Sequence, residues 1–375
     1  MRKNILLTDT QKKIKHASEF FQKGFIDEAL KISQQVLEKF PKNNEATYIS
    51  GLVYLKDGQI KKAIQYLLTG YKNNPKHFEL IGNLGFAYHE LGQIDLAERF
   101  YREALAINYN YLNAYYNLHA IQIDQGKINE AITSLEKIIS FNSNDLDVYF
   151  MLGFLNDYLG NKKVSKYHFE KIEGKSVLLD SRLEAWNYLK NESKEKIKLT
   201  GSNIATFKHA INAANVEGLI FEFGVRHGTS INQLAELTNQ NIYGFDSFEG
   251  LKEGWHQESK GSYSTGGILP EVRSNVNLYQ GWFDQTLPIF LDKNKGPVRL
   301  INIDCDTYQS TKVVFDLLSQ RIQSGSIIIF DEYVGNQFWK QDEFKAFQEA
   351  VNKNKWNYQY LACSFFTKQV IVKIV

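Results

Sequence analysis

The stretch Leu300-Ile301-Asn302-Ile303-Asp304-Cys305-Asp306, echoed by Ile327-Ile328-Ile329-Phe330-Asp331-Glu332, decides the fold of the carboxy-terminal half. Both apolar runs are short and β-branched, as in strands buried on both faces of a parallel sheet. Between them, residues 311–321 have helical spacing, with Val314, Leu317, Leu318 and Ile322 on one face, and Gly325 turns the chain into the second run. Strand, helix, strand places both acidic pairs at the carboxyl ends of neighbouring strands, where open α/β sheets hold ligands. Asp304, Asp306, Asp331 and Glu332 would then converge on one rim. Carboxylates repel one another unless a cation or a shared proton intervenes. One such pair reads as a solvated strand end or a helix cap; two in register read as a site.

A chain of 375 residues is long for one core, so two domains are expected. Hydrophobic content of 43% with 23% charged residues is that of a soluble globular protein. A formal charge of +2 gives no drive toward nucleic acid or an anionic membrane. Cys305 and Cys363 cannot build a disulfide framework, which suits a reducing compartment. Residues 1–8 contain too short an apolar stretch for a signal peptide, and no run approaches a membrane span. A cytoplasmic protein is expected.

The amino-terminal half repeats. Gly24, Gly58, Gly92, Gly126 and Gly160 stand thirty-four residues apart, and Ala29, Ala63, Ala97, Ala131 and Ser165 keep the same step. A third column, Ala17, Gly51, Gly85, His119 and Gly153, is small with one exception. Each unit reads as helix, glycine turn, helix and then a break such as Phe40-Pro41 or Asn74-Pro75. This pattern resembles the tetratricopeptide repeat over about residues 10–175, which implies an all-α superhelix whose groove holds a peptide or another subunit. Asn83 and Asn117 occupy equivalent positions from which a peptide backbone could be clamped, or they are polar residues on a solvated face. Residues 176–203 read as a linker helix anchored by Trp186 and Leu189, and 204–375 as the second domain, opened by a helix around Thr206–Ala214.

In that domain Leu219–Phe223 is a strand and Gly224-Val225-Arg226-His227-Gly228-Thr229-Ser230 the turn into a helix. A second strand, Ile242–Phe245, ends on Asp246. Glycine turns let a ligand approach the backbone, helix starts present free N–H groups, and an acid after the second strand suits a ribose diol. A dinucleotide site would want G-x-G-x-x-G; the chain has E-x-G-x-x-x-G, starting at Glu222. Residues 251–270, with four glycines, form a long loop that could cover an acceptor. Its His256 is a candidate base or a surface histidine. Cys305 is a candidate nucleophile or, by strand alternation, a residue turned into the sheet.

The E-x-G-x-x-x-G turn resembles the first motif of class I S-adenosylmethionine-dependent methyltransferases. Gly244-Phe245-Asp246-Ser247-Phe248-Glu249-Gly250-Leu251, Tyr279-Gln280-Gly281-Trp282-Phe283-Asp284-Gln285-Thr286-Leu287-Pro288, the segment Ile303–Thr311 and Phe330-Asp331-Glu332-Tyr333 are similar to the macrocin O-methyltransferase family, over about residues 204–375. The resemblance implies an α/β Rossmann-like class I methyltransferase fold that methylates a sugar or glycan hydroxyl, or a glycosylated small molecule, with a divalent metal. Glu222, Gly224 and Gly228 would line the methionine and ribose side of S-adenosylmethionine, Asp246 would accept from the ribose hydroxyls, Trp282 and Phe283 would lie near the adenine, and Ser230 and Ser247 would also bind the cofactor. Asp304 and Asp306 would serve in catalysis. With Asp331 and Glu332 they would hold Mg²⁺ or Mn²⁺, although relatives often have two aspartates at the latter pair. The repeats would serve protein interaction or homo-oligomerisation. Two other readings compete: a non-catalytic scaffold with a degenerate methyltransferase fold, and a nicotinamide-dependent oxidoreductase. No nucleic acid or membrane partner is expected.

Overall fold

The computed structural model describes residues 8–375, which form two compact units meeting at Leu118/His119. The first is all helical: α1 (Asp9–Gln22), α2 (Ile26–Lys39), α3 (Asn44–Lys56), α4 (Ile60–Asn73), α5 (Phe78–Glu90), α6 (Ile94–Ile107) and the start of α7 (Leu112–Asp124). Helices pair through the thirty-four-residue columns. The repeat glycines 24, 58, 92, 126 and 160 have φ between 72° and 86°, a left-handed turn that glycine makes without steric cost. The small column lets the second helix of a pair approach the first closely. A side chain on Gly51 would run into Leu67, and one on Gly85 into Tyr101. Asn83 Nδ2 donates to Tyr48 Oη of the preceding repeat and to Glu79 O, and Asn117 Nδ2 to Asn113 O, so both amides have partners within the array.

The second unit continues with α8 (Ile128–Phe141), α9 (Leu146–Tyr158), α10 (Lys162–Glu170) and α11 (Val177–Glu192). Then come β1 (Lys198–Leu199), α12 (Asn203–Ala213), β2 (Leu219–Phe223), α13 (Thr229–Glu236), β3 (Ile242–Asp246), β4 (Val276–Gln280), α14 (Phe283–Lys293) and β5 (Val298–Ile303). The chain closes with α15 (Tyr308–Leu318), β6 (Ile327–Phe330), α16 (Glu343–Asn354), β7 (Tyr358–Cys363) and β8 (Val370–Ile374). The last repeat keeps the small column: Gly153 faces Phe169 where a side chain would collide. Asp124 accepts from Gly201 N and Ser202 Oγ, which caps α12 in turn.

The sheet runs β1-β7-β8-β6-β5-β2-β3-β4, and β8 alone is antiparallel to its neighbours. The terminal hairpin is therefore not the sheet edge: the two-residue β1 lies outside it, pairing Lys198 with Ala362 and Leu199 with Cys363. Nothing in a two-residue run announces a strand. One face of the sheet packs on Phe207, Ile231, Leu234 and Val225. Rings cover the other, where Phe221, Phe245, Tyr243 and Tyr279 meet Phe290.

Candidate active site

The register puts Ile303 opposite Phe330 and Phe223 opposite Ile303, so β2, β5 and β6 end level. Beyond these ends Asp304 N donates to Phe223 O and Asp331 N to Ile303 O, at 2.9 and 3.0 Å. Both acidic pairs thus leave adjacent strand ends onto one rim. Among the described residues, six of the seven non-glycine residues with positive φ lie on it or on segments touching it: Arg226, Phe248, His256, Tyr263, Asp306 and Lys368. Backbone held in this region is costly and clusters where function over-determines it.

Asp304, Asp306, Asp331 and Glu332 are partly exposed. Burial and mutual repulsion raise the proton affinity of the three aspartates. Asp306 is pushed up to about 8, by burial and then Glu332 and Asp331. Asp304 is held well above the carboxylate range by burial and then Asp331, and hydrogen-bonds with it. Asp331 rises to about 6 and accepts from Gln369 Nε2 at 2.9 Å. Glu332, expected among the metal donors, instead has Lys368 Nζ 2.7 Å from its Oε1. Among the described residues, no group of three or more His, Cys, Asp or Glu is arranged as a metal ligand shell. The chemistry of the donors, oxygen only and mutually repelling, still suits a hard divalent cation.

The turn after β2 is built differently from the sequence expectation. Gly224 has φ +92°, and a Cβ there would collide with the carbonyl oxygen of Asp304. Close approach of the chain leaving β5 is by itself enough to require this glycine. Gly228, at φ +75°, opens α13 and faces Pro270. Glu222 is fully buried, and its carboxyl accepts from Ser230 Oγ at 2.8 Å and Asn302 Nδ2 at 2.9 Å. Burial pushes it up to about 8 despite both bonds. Asp246 accepts from Val225 N and Arg226 N on one oxygen and Phe248 N on the other, at 2.7 to 2.8 Å. Three of its roughly four lone-pair directions are taken. Ser247 Oγ accepts from Glu249 N and stays within its turn. Ser230 and Ser247, expected at the cofactor, each hydrogen-bond within the protein. Trp282 caps α14 with Lys252 Nζ 5.4 Å from its ring centre, and Phe283 packs edge-on against Phe223.

Several rim residues were not singled out from sequence. Glu343 is fully buried and accepts from Glu332 N, and burial followed by Asp331 lifts its carboxyl well above the usual range. Asp342 accepts from or donates to His256 across 2.7 Å, Nε2 to Oδ2, and the imidazole stacks on Phe338 at 4.2 Å. Asp342-Glu343 is a third acidic pair, visible in the sequence eleven residues after the second. Tyr263 lies over Arg226, and its hydroxyl is pushed up to about 12 by burial and then Asp306. The loop of residues 251–270 therefore reaches the rim through His256 and Tyr263. Cys305 is buried with Sγ 3.5 Å from Thr311 Oγ1, the inward orientation that alternation requires.

Residues 221–333 match the family described as a methyltransferase domain. Residues 14–78, 54–121 and 112–145 match tetratricopeptide repeats.

The chain carries a methyltransferase domain behind tetratricopeptide repeats.

The methyltransferase domain is also similar in sequence to the 8-demethyl-8-(2,3-dimethoxy-alpha-L-rhamnosyl)-tetracenomycin-C 4'-O-methyltransferase of Streptomyces olivaceus. Identity is 30% over 156 residues, 35% of this chain and 59% of that protein. The chain thus spans under two thirds of that relative's length. Among solved structures, the calicheamicin methyltransferase CalS11 is 21% identical with TM-score 0.39, over 46% of this chain and 78% of that one. The repeats are similar to the protein MamA, at 25% identity and TM-score 0.38, over 44% of this chain and 89% of that one.

Proposed function

We propose that the methyltransferase domain transfers a methyl group from S-adenosylmethionine to a hydroxyl of a sugar or glycan acceptor. One observation carries the reading: within a stretch matching a methyltransferase domain, partly exposed carboxylates of raised proton affinity face the turn that holds Asp246. S-adenosylmethionine supplies an activated methyl on a sulfonium, so the demand on the protein is to make an alcohol nucleophilic. Asp306, pushed up to about 8, suits a general base near neutral pH, where such groups are most effective. Asp304 and Asp331 hydrogen-bond to each other beside it, and burial raises the proton affinity of both. The remaining lone pair of Asp246 is left for a ribose hydroxyl.

Asp304, Asp306 and Asp331 would hold a Mg²⁺ or Mn²⁺ ion, with Glu332 beside them. Such an ion would supply charge stabilisation for the alkoxide. The acceptor class is supported by the O-methyltransferase relative, whose own name specifies a rhamnosyl compound. The repeats support protein interaction or self-association. No helix among the described residues is long and apolar enough to cross a membrane, and both cysteines are free, which supports a reducing, cytoplasmic setting.

The test is calorimetric titration with S-adenosylmethionine, with and without Mg²⁺, followed by radiolabelled methyl transfer to a panel of sugar acceptors. Micromolar binding and label on a sugar support the reading. Absence of binding in both conditions sinks it.

A further inference from the structure

Two segments carry or hold the outer carboxylates: the turn after β6, residues 331–342, and the connection between β7 and β8, residues 364–369. Both are held by helices that precede the sheet in the chain. Phe365, almost fully buried, sets its ring 5.1 Å from Phe150 and 5.0 Å from Phe154 on α9. Trp186 of α11 meets Phe154 at 4.8 Å, and its Nε1 donates to Asp157 at 2.8 Å. Phe366 adds an edge contact with His119 at 5.5 Å. Three residues after Phe365, Lys368 meets Glu332 at 2.7 Å, and Gln369 donates to Asp331 at 2.9 Å.

The turn after β6 is gripped from α11. Arg182 Nε donates to Gly335 O at 3.0 Å while its Nη1 donates to Asp147 of α9 at 2.6 Å. Ser181 Oγ donates to Gln337 O at 3.3 Å, and Lys340 pairs with Glu184 at 2.5 Å. The segments also touch each other, since a Cβ on Gly335 would lie 3.0 Å from the Lys368 stem. Lys368 itself sits at φ +62°, a conformation a free six-residue connection would not keep for a lysine.

We propose that α9 and α11 are positioning elements of the active site: by fixing Phe365 and Gly335 they hold Lys368 and Gln369 against Glu332 and Asp331. Phe365 and Arg182 act through other residues. The proposal rests on the reading that Asp331 and Glu332 belong to the methyl-transfer site. A flexible lysine and glutamine set carboxylate geometry only if their backbone is fixed, and the backbone here is fixed from outside the sheet. Small misplacements far from the chemistry carry large rate penalties.

The test uses the full chain with Phe365→Ala, Phe365→Leu and Arg182→Gln. Hydrogen–deuterium exchange, S-adenosylmethionine affinity and methyl-transfer kcat are measured together. In Phe365→Ala, exchange should accelerate at residues 331–342 and 364–369 while β2 and β3 stay protected. Cofactor affinity should stay within about twofold and kcat fall on the order of ten- to a hundredfold. Leucine, which refills most of the aromatic socket, should restore much of the rate. Arg182→Gln keeps the apolar core, and should show the same pattern at 331–342 even if Phe365→Ala fails to fold. Unchanged exchange at 331–342 in Arg182→Gln overturns the proposal. So does a loss spread equally over β2, β3 and cofactor affinity, which would mean that these side chains only add bulk. A wild-type chain that transfers no methyl group would sink the functional reading, while the exchange result would still judge the positioning.

Discussion

Asn302 Nδ2 donates to Glu222 Oε2 at 2.9 Å, joining β2 to β5 at the centre of the sheet through a fully buried acid. The two residues are direct register partners, so a polar pair replaces an apolar one where both faces are covered.

This pair makes stability fall as pH rises. Glu222 has an ordinary value near 4.5 when unfolded and about 8 when folded. Between those values the folded state binds more protons than the unfolded one, so this group's contribution falls as pH rises through the window. Glu222→Gln removes the ionisation at nearly constant shape: its oxygen accepts from Asn302 Nδ2, and its amide N–H donates to Ser230 Oγ in reverse of the native bond. Thermal melts at pH 5 and pH 8.5 should show the wild type losing more melting temperature than the glutamine variant. Equal losses in both would show that Glu222 does not titrate there.

Asp246 and Asp331 should separate binding from chemistry. Asp246→Ala removes the acceptor of three backbone N–H groups and should weaken S-adenosylmethionine binding on the order of tenfold or more. Asp331→Ala should lower kcat on the order of 10²- to 10⁴-fold while cofactor affinity stays nearly intact. Calorimetry beside single-turnover kinetics distinguishes them; two variants that differ only in affinity would contradict a chemical role for the rim.

Cation binding should stabilise the fold by relieving repulsion among Asp304, Asp306 and Asp331. Millimolar Mg²⁺ or Mn²⁺ should raise the melting temperature of the wild type, and EDTA should reverse it. Asp304→Asn with Asp331→Asn should abolish the shift. A wild type indifferent to both ions would remove the metal from the proposed mechanism.

Gly224→Ala should be among the most disruptive single substitutions in the sheet. The left-handed φ alone costs about 1–2 kcal/mol for a residue with a Cβ, and the new carbon would meet the Asp304 carbonyl as well. Circular dichroism melts against Gly266→Ala, which meets nothing nearby, separate collision from backbone strain.

The repeats were legible because each column answers one steric need: a left-handed turn at Gly58, a close crossing at Gly51. The acidic strand ends were legible because β-branched runs leave few alternatives. The hydrogen bonds of Ser230 to Glu222 and of Glu249 N to Ser247 could not be read from the sequence. Asn302 was hidden inside an apolar run. Lys368 and Gln369 lie 36 and 38 residues from their carboxylates, and only the folding of the β7–β8 hairpin brings them there. Local patterns report local needs, whereas long-range polar pairing depends on tertiary placement.

The two-residue β1 bears on how the chain meets copies of itself. A sheet edge is a row of unpaired amides that a neighbouring molecule can extend into a continuous ribbon. Along β7 that row is met at Ala362 and Cys363 by a strand too short to template another, with Lys198 exposed beside it. Addition of a second molecule's strand at this edge is thus blunted by a fragment of backbone and one charge, which leaves β4 as the sheet's one full-length edge.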